Sequence, residues 1–150
     1  MNVDVSVDRA TAADVAALEQ LLSSEGLPID GVRAVLDGFL LVRDGGGVLA
    51  AAAVERYGAA VLLRSVVVAP PARGRGLGAR VVEQRLAAAA RAGASDAYLL
   101  TTTAEPFFTR LGFSATTREA VPAEVRGSAE FTSLCPASAT VMHRPIGGLT

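Results

Sequence analysis

The sequence contains no lysine and no tryptophan, and it has one cysteine, Cys135, and one histidine, His143. One cysteine can form neither an internal disulfide nor, by itself, a multi-thiolate metal site, and no cluster has metal-ligand spacing, so we predict no metal. The net charge of −1 gives no field that would attract nucleic acid or an anionic membrane. Without lysine, any basic site must use the guanidinium groups of the 14 arginines.

Long apolar runs are also missing, since no stretch approaches the roughly 20 apolar residues of a membrane-spanning helix. Residues Met1 to Ala10 alternate apolar and polar side chains and carry Asp4 and Asp8, which is not the pattern of a signal or transit peptide. We therefore expect a cytoplasmic protein, with 51% apolar residues supplying the core of one domain over residues 1–150. The expected partner is a small molecule, not nucleic acid or a membrane.

Periodicity and turn residues predict an α/β domain with the element order β-α-α-β-β-β-α-β-α-β-β. Such a domain would have a mixed, mostly antiparallel sheet of about six to seven strands with helices on both faces. Its edge strands would be exposed, and a homodimer is compatible with such edges. The predicted strands cover Val3 to Val7 and residues 39–42, 48–57, 60–69, 98–101, 113–117 and 139–144. The predicted helices are one containing Val15, Leu18 and Leu22, others over 30–36, 76–93 and 105–111, and a short one starting at Pro122.

The most informative segment joins the valine-rich fourth strand to the longest helix. It reads Arg73-Gly74-Arg75-Gly76-Leu77-Gly78-Ala79. Glycines let backbone amides approach a ligand, and the first amides of a helix have no partner within the helix. The positive end of the helix dipole and the two arginines favour an anion at the same place. The segment therefore predicts a phosphate site, and we call it the cradle.

Other phosphate-binding motifs fit the cradle less well. A Walker loop needs a Gly-Lys pair, and the chain has no lysine. Gly74-x-Gly76-x-x-Ala79 satisfies a loose dinucleotide-binding fingerprint, with Asp96 lying 20 residues after Gly76. That fold places its glycines directly after the first strand of a βαβ array, whereas here two prolines intervene and hairpin strands precede. A small dinucleotide-binding protein remains an alternative.

The chain resembles the GNAT superfamily of acyl-CoA-dependent N-acetyltransferases over nearly its whole length. The resemblance is carried by the motif Arg73-x-x-Gly76-x-Gly78, the preceding Val-Val-Val-Ala-Pro and the later Phe107 to Phe113. The resemblance implies the GNAT fold and acetyl-CoA as cofactor. It implies that the strand before the cradle splays from the next parallel strand, leaving a gap for pantetheine. It also implies that the pantetheine and acetyl end lies against Val66, Val67 and Val68, and the phosphates against Arg73 to Ala79.

Two shorter segments carry a narrower resemblance. Leu99 to Glu105 and Glu130 to Ala139 are similar to the GNAT subgroup associated with arsenic-resistance operons. The Thr-Thr part of the first segment is also similar to amino-acid N-acetyltransferases such as N-acetylglutamate synthase. These likenesses imply a small amino-acid-like substrate, with a possible link to resistance against arsenic or toxic analogues.

Two usual catalytic positions of the family are not filled by the usual residues. The common tyrosine acid falls at Phe108, and the glutamate base of some members falls near Leu62. Neither side chain can transfer a proton, so these roles are empty or moved. A non-catalytic CoA-binding or regulatory module is therefore the main alternative to an enzyme.

The residues that would transfer protons in place of the usual ones each have an alternative, purely structural interpretation. Glu55 is a candidate proton relay and Tyr57 a candidate acid, although a solvated carboxylate beside Arg56 and a strand-end packing tyrosine are the alternatives. Arg64, in a buried strand, would bind a substrate carboxylate or form an internal salt bridge. Arg126 is a second carboxylate-binding candidate, or else a solvated surface residue.

The remaining candidates concern the cofactor and the single cysteine and histidine. Thr101 and Thr102 are candidates for hydrogen bonds to pantetheine, or plain strand residues, and Phe108 is included in the predicted cofactor site. Cys135 has no paired histidine, so we interpret it as a small buried hydrophobic residue. His143 reads as structural.

Overall fold

The computed structural model describes residues 5–45 and 47–147. Seven strands form a sheet in the order β1-β2-β3-β4-β5-β7-β6. The β1–β2, β2–β3, β5–β7 and β6–β7 pairs are antiparallel, and β4–β5 is parallel. The strands are β1 Ser6–Arg9, β2 Phe39–Asp44, β3 Gly47–Tyr57, β4 Ala60–Val68, β5 Asp96–Thr101, β6 Ser114–Thr116 and β7 Thr140–Pro145. The α-helices are α1 Val15–Ser24, α2 Leu77–Arg91, α3 Glu105–Arg110 and α4 Ala123–Arg126.

The predicted α/β class and mostly antiparallel sheet are confirmed, and one element is wrong. Residues 30–35 form turns, followed by a 3₁₀ turn at Leu36–Gly38, where a second α-helix was predicted. Gly31 has a φ of 78°, which a right-handed helix cannot contain, and this breaks the helical pattern. Val3, part of the first predicted strand, lies outside the described residues.

The chain forms two compact units, and the prediction of a single domain stays a prediction. The first unit comprises Met1–Val54 and Ser65–Arg85. Its core contains Leu18, Leu22, Val32, Phe39, Leu41, Ala51, Ala53 and Val67. The small side chains of Ala50 to Ala53 are all fully buried, as expected for a core built largely from closely packed backbone.

A capped 3₁₀ turn at Ala12–Asp14 leads into α1 in the first unit. The Thr11 amide donates a hydrogen bond to the Asp14 carboxylate at 2.8 Å, as in a capping box. The Arg43 guanidinium, 2.8 Å from Asp14 Oδ1, and the Thr11 amide together lower the pKa of Asp14 to about 2. The carboxylate therefore stays ionised and anchors the helix to β2.

The second unit comprises Glu55–Arg64 and Leu86–Thr150. Its core contains Ala60, Leu62, Tyr98, Val121, Val125 and Val141. The connection over residues 118–138 is ordered: α4 begins after Pro122, as predicted, and Glu130–Leu134 form a π-helical turn. Such turns occur often at functional sites, which directs attention to the side chains that this one carries.

Candidate active site

The cradle in the first unit has the predicted strand–turn–helix form. A 3₁₀ turn at Pro70–Ala72 follows β4, and α2 begins at Leu77. Gly74 and Gly76 have φ values of 83° and 73°, in the left-handed region where glycine is favoured. A Cβ added at either position would meet no atom within 4 Å. The cradle is therefore open on the side that these two glycines face.

The first turn of α2 supplies the donors of the cradle. Because the helix begins at Leu77, the amides of Leu77, Gly78 and Ala79 have no acceptor four residues earlier within it. The Arg80 amide closes the first turn onto the Gly76 carbonyl at 3.1 Å. Amides without a partner in their own helix, the positive helix end and space for a ligand are the features that a diphosphate requires.

The Arg73 side chain is the part of the cradle that already has a partner. It is 57% exposed, and its guanidinium forms an ion pair with Glu25, directly after the end of α1. Arg75 is exposed. A phosphate approaching Arg73 would therefore compete with the Glu25 carboxylate for the same donors.

Replacement of Glu25 by glutamine is expected to tighten acetyl-CoA binding by about threefold, because an exposed ion pair is worth about 0–1 kcal/mol and its loss frees Arg73. Isothermal titration calorimetry measures the effect. Glu19→Gln is the matched control, since Glu19 lies on α1 and also pairs with an arginine, Arg33, at 3.9 Å. Equal or weaker binding by the Glu25→Gln variant would show that Glu25 does not compete with the ligand.

The strand before the cradle is irregular where the cofactor is predicted to bind. The β4–β5 ladder pairs Ala60–Leu62 with Asp96–Tyr98, whereas β4 continues to Val68. Ser65 has a φ of 57°, the left-handed region that a residue with a side chain rarely adopts. The Val67 side chain is buried, and Val66 and Val68 are half-buried. No local pattern in the sequence predicts this irregularity, which lies within β4 between Arg64 and the three valines.

The second unit brings three candidate residues together. Arg64 Nη1 lies 2.7 Å from Glu55 Oε2, and the two side chains are only 2% and 12% exposed. The Tyr57 hydroxyl donates a hydrogen bond to the other Glu55 oxygen. Glu55 is therefore neither solvated nor paired with Arg56, whose guanidinium instead donates to the Ala92 carbonyl at 2.7 Å. Arg64 forms the internal salt bridge that was one of its two alternatives.

Tyr57 holds its proton tightly in this arrangement. Burial, the hydrogen bond to Glu55 and the charge of Glu55 raise the pKa of Tyr57 to about 12, although the charge of Arg64 and a hydrogen bond with Ser128 act in the opposite direction. A phenol with so high a pKa is a weak acid near neutral pH. Its clearest role in the structure is to orient the Glu55 carboxylate.

Sequence reasoning missed Glu130, which adds a second carboxyl to this group. Glu130 is 6% exposed, and its side chain contacts the Cys135 thiol. Burial raises the pKa of Glu130, the Arg64 charge lowers it, and the Glu55 charge raises it further. We call Glu55, Tyr57, Arg64, Ser128, Glu130 and Cys135 the polar cluster. Its chain positions are so far apart that only a signal of contact between residues 55–64 and 128–135 would have revealed it.

Cys135 itself is not arranged as a nucleophile. Burial and the neighbouring Glu130 raise the pKa of its thiol to about 11, so the reactive thiolate is scarce at neutral pH. His143 lies elsewhere, with Nε2 2.7 Å from Asp96 Oδ1 and its ring centroid 4.8 Å from that of Tyr98. Asp96 is the acidic residue of the dinucleotide-binding alternative, and its carboxylate already contacts His143 within the protein.

The other predicted site residues lie outside the polar cluster. Arg126 is exposed at the end of α4, and Thr102 is exposed after β5. The Thr101 hydroxyl accepts a hydrogen bond from the Ala104 amide at 3.0 Å, which shapes the turn before α3. Phe108 is buried, with its ring edge-on to Phe113 at 5.8 Å between centroids. A tyrosine acid at position 108 would have its ring in this same aromatic packing.

Neither a metal site nor a membrane span is found over residues 5–45 and 47–147. No three histidine, cysteine or acidic side chains there are grouped so that they could hold a metal ion. None of the helices in those ranges has the length and apolar character needed to cross a bilayer.

Comparison with known families shows what class of protein this fold and site define. The profile of the family described as Acetyltransferase (GNAT) domain matches residues 36–115, more than half of the chain. The chain therefore belongs to the GNAT acetyltransferase family, whose reaction is acetyl-CoA-dependent N-acetylation. Acetyl-CoA, the predicted cofactor, is the cofactor of this family. The search of curated proteins found no match to the sequence.

Solved structures share the fold at low sequence identity. The chain matches an N-acetylglutamate synthase from Neisseria gonorrhoeae, complexed with coenzyme A and N-acetyl-glutamate, with a TM-score of 0.81 and 19% identity. The match covers 97% of this chain but only 36% of the synthase, so the chain spans about a third of that protein. Rv2747 from Mycobacterium tuberculosis, in complex with CoA and NLQ, matches with a TM-score of 0.76, 23% identity and coverages of 93% and 98%.

A third structure has a different kind of acceptor. The ribosomal-protein-S18-alanine N-acetyltransferase from Escherichia coli matches with a TM-score of 0.75 and 17% identity, over 96% of this chain and 95% of that one. The shared fold therefore accommodates more than one class of amine, and the acceptor has to be argued from the residues of this chain.

Proposed function

We propose that this protein transfers the acetyl group of acetyl-CoA to the amine of a small amino-acid-like substrate. The observation that carries the proposal is the open cradle, in which two left-handed glycines lead into the first amides of α2. Family membership supports the reaction class. The polar cluster supports it further, since it offers a half-buried carboxylate, Glu55, that can accept a proton.

The cradle residues would hold the cofactor by its phosphates. The amides of Leu77, Gly78 and Ala79 would donate to the diphosphate, with Arg73 and Arg75 adding guanidinium donors. Val66, Val67 and Val68 are the proposed contacts for the pantetheine and acetyl end, and Thr101, Thr102 and Phe108 stay proposals for the same cofactor. Bound acetyl-CoA would supply an activated thioester, which is the acyl donor of the reaction.

Glu55 is the proposed proton acceptor. An α-amine has a pKa of about 7.7–8.0, so freeing it at pH 7.5 costs well under about 1 kcal/mol, whereas a lysine-type amine costs about 4 kcal/mol. An α-amine therefore needs only a weak base, and the Glu55 carboxylate is held in place by Arg64 and Tyr57. Tyr57 remains a proposed acid with a weaker basis, because its pKa of about 12 makes proton donation unfavourable.

The substrate class rests on further observations. Arg64 is committed to Glu55, so Arg126, exposed on the 118–138 connection, is the more available of the two proposed ligands for a substrate carboxylate. The gonococcal synthase and Rv2747 are both complexed with CoA and a further ligand, which for the synthase is N-acetyl-glutamate. The resemblance of residues 99–105 and 130–139 to the arsenic-resistance subgroup adds arsenic-containing amino-acid analogues as candidate acceptors.

A non-catalytic CoA-binding module is the second candidate function. It is favoured by Phe108, which is packed into an aromatic core at the position of the family's tyrosine acid. It is also favoured by Leu62, which is fully buried at the last pair of the β4–β5 ladder. Such a module would bind acetyl-CoA without turnover.

A thiol-release screen tests the proposed function. Acetyl-CoA is incubated with the protein and with each amino acid, phosphonate and arsenic analogues of amino acids, and a peptide beginning with alanine. We expect release of free thiol with an amino-acid-like amine and none with the peptide. Calorimetry with acetyl-CoA and NAD completes the test: binding without turnover would favour the non-catalytic module, and binding of NAD alone would favour the dinucleotide alternative.

A further inference from the structure

The Glu55 carboxylate is held at both of its oxygens. The Tyr57 hydroxyl donates a hydrogen bond to Oε1, and Arg64 Nη1 lies 2.7 Å from Oε2. An ionised carboxylate has about four lone pairs that can accept hydrogen bonds, so two donors leave others available. The carboxylate is therefore fixed in orientation and can still accept a proton.

Tyr57 is a rigid hydrogen-bond donor to this carboxylate. It lies two positions after Glu55 on β3, which places both side chains on the same face of the sheet. Its ring packs against the core of the second unit, so side-chain packing fixes the position of the hydroxyl oxygen. Burial, and then the hydrogen bond and charge of Glu55, raise the pKa of the Tyr57 phenol to about 12, so the hydroxyl keeps its proton near neutral pH.

We infer that Tyr57 is a positioning residue, whose hydroxyl holds the Glu55 carboxylate in the orientation that accepts the proton of the acceptor amine. The inference rests on the proposed function, and it gives Tyr57 a part in that function other than the part of an acid. In this step one N–H bond of the ammonium breaks and one O–H bond forms at Glu55. The O–H bond of Tyr57 stays intact.

Orientation matters more than base strength for this proton transfer. A hydrogen bond to a carboxylate stabilises the ionised form, so loss of the Tyr57 hydroxyl would add base strength while it removes orientation. An α-amine, with a pKa of about 7.7–8.0, loses its proton near neutral pH with little help, so added base strength gains little. A carboxylate that turns more freely spends less time in the reactive geometry, and the rate falls.

A double-mutant cycle on kcat tests whether Tyr57 acts through Glu55. Tyr57→Phe keeps the ring and removes only the hydroxyl. We expect it to lower kcat about tenfold, roughly the effect of one hydrogen bond to a charged group, with the KM for acetyl-CoA unchanged. In a Glu55→Gln background the same change is expected to have no further effect, because the base that Tyr57 orients is gone.

An acid or a packing residue at position 57 would give different results. An acid would act on the leaving thiolate independently of Glu55, so the two losses in kcat would multiply. A purely structural residue would change thermal stability and leave the kcat of the folded protein as in the wild type. Wild-type kcat in Tyr57→Phe, or a further tenfold loss in the double variant, would overturn the inference. Tyr98→Phe is the matched control and is expected to keep its kcat, since the Tyr98 ring contacts His143 outside the polar cluster.

The hydrogen bond itself can be measured without turnover, because the chain has two tyrosines and no tryptophan. In a Tyr98→Phe protein, phenolate absorbance reports Tyr57 alone, and stopped-flow jumps to alkaline pH record it before the fold is lost. Replacing Glu55 by glutamine is expected to move the pKa of Tyr57 from about 12 towards the ordinary value of 10.0, since a charge that opposes ionisation is removed. Should that variant not fold, Glu55→Gln with Arg64→Met removes the same carboxylate. An unchanged pKa of Tyr57 would contradict the inference.

The two experiments also separate this inference from the function on which it rests. Thiol release by the wild type with no effect of Tyr57→Phe would refute the inference and leave the acetyltransferase intact. If no amine is acetylated, the proposed function fails and the role of Tyr57 in proton transfer fails with it. The phenol titration would then still decide whether Tyr57 holds the Glu55 carboxylate.

Discussion

Replacement of Gly76 by aspartate is expected to weaken acetyl-CoA binding at least about hundredfold. Position 76 precedes the first amides of α2, and its left-handed conformation presents an open side. A carboxylate there would face the bound diphosphate, and two like charges at contact distance repel by about 1–4 kcal/mol, depending on how far water screens them. With more than one phosphate charge opposed, a loss of about 3 kcal/mol, or hundredfold, follows. Adding Arg73→Ala would remove a guanidinium donor as well.

Gly76→Asn provides the matched comparison for this effect. Asparagine has the shape of aspartate and tolerates the left-handed region about as well, but it carries no charge. Both variants should lose similar amounts of stability, because the left-handed conformation strains either side chain equally and an added Cβ meets no atom within 4 Å. We therefore expect the asparagine variant to bind far more tightly than the aspartate variant in calorimetry. Equal affinities would mean that no anion binds at the cradle.

The cradle is the part of the site that the sequence predicts well. Its signal is contained in seven consecutive residues, where the conformational freedom of glycine, the arginines and a helix start coincide. Strands β2, β3 and β4 were equally readable, because each is largely a run of apolar residues followed closely by glycine or proline. Local chemistry decides these features, so they could be predicted without knowing the fold.

Two features show where local patterns are insufficient. Residues 30–36 have a composition compatible with a helix, but Gly31 adopts a left-handed conformation and the segment forms turns. Ser65 sits in a run of strand-forming residues and still adopts a positive φ. In both places the surrounding structure overrides the local preference, and Ser65 lies beside residues proposed to contact the cofactor.

The polar cluster could not be assembled from the sequence, although several of its members were candidates. Glu55 and Arg64 come together because β3 and β4 are neighbours in the sheet, which pairs residues nine positions apart. Glu130 joins them through the π-helical turn, for which the sequence offered only a resemblance. Because Arg64 is paired with Glu55, Arg126 is the proposed ligand for a substrate carboxylate.

Replacement of Glu55 by glutamine is expected to lower kcat by about a hundredfold while the affinity for acetyl-CoA stays the same. Loss of a general base costs about 10²–10⁴ in rate, and an α-amine, which needs little help to lose its proton, belongs at the lower end of that range. Thiol release measured at saturating acetyl-CoA, with calorimetry of the same variant, would separate the catalytic step from binding. A variant with wild-type kcat would exclude Glu55 as the proton acceptor.

The same substitution also removes the carboxylate that contacts Arg64, so a loss of stability has to be distinguished from a loss of catalysis. Removing one partner of a buried pair costs about 3–5 kcal/mol, whereas replacing both partners by neutral groups can be nearly neutral. The double variant Glu55→Gln with Arg64→Met should therefore recover much of the thermal stability lost by the single variant. If Glu55 serves only the fold, turnover will return together with stability. If Glu55 accepts the amine's proton, the double variant will be stable and will remain about a hundredfold slower than the wild type, because no carboxylate is left where the proton has to go.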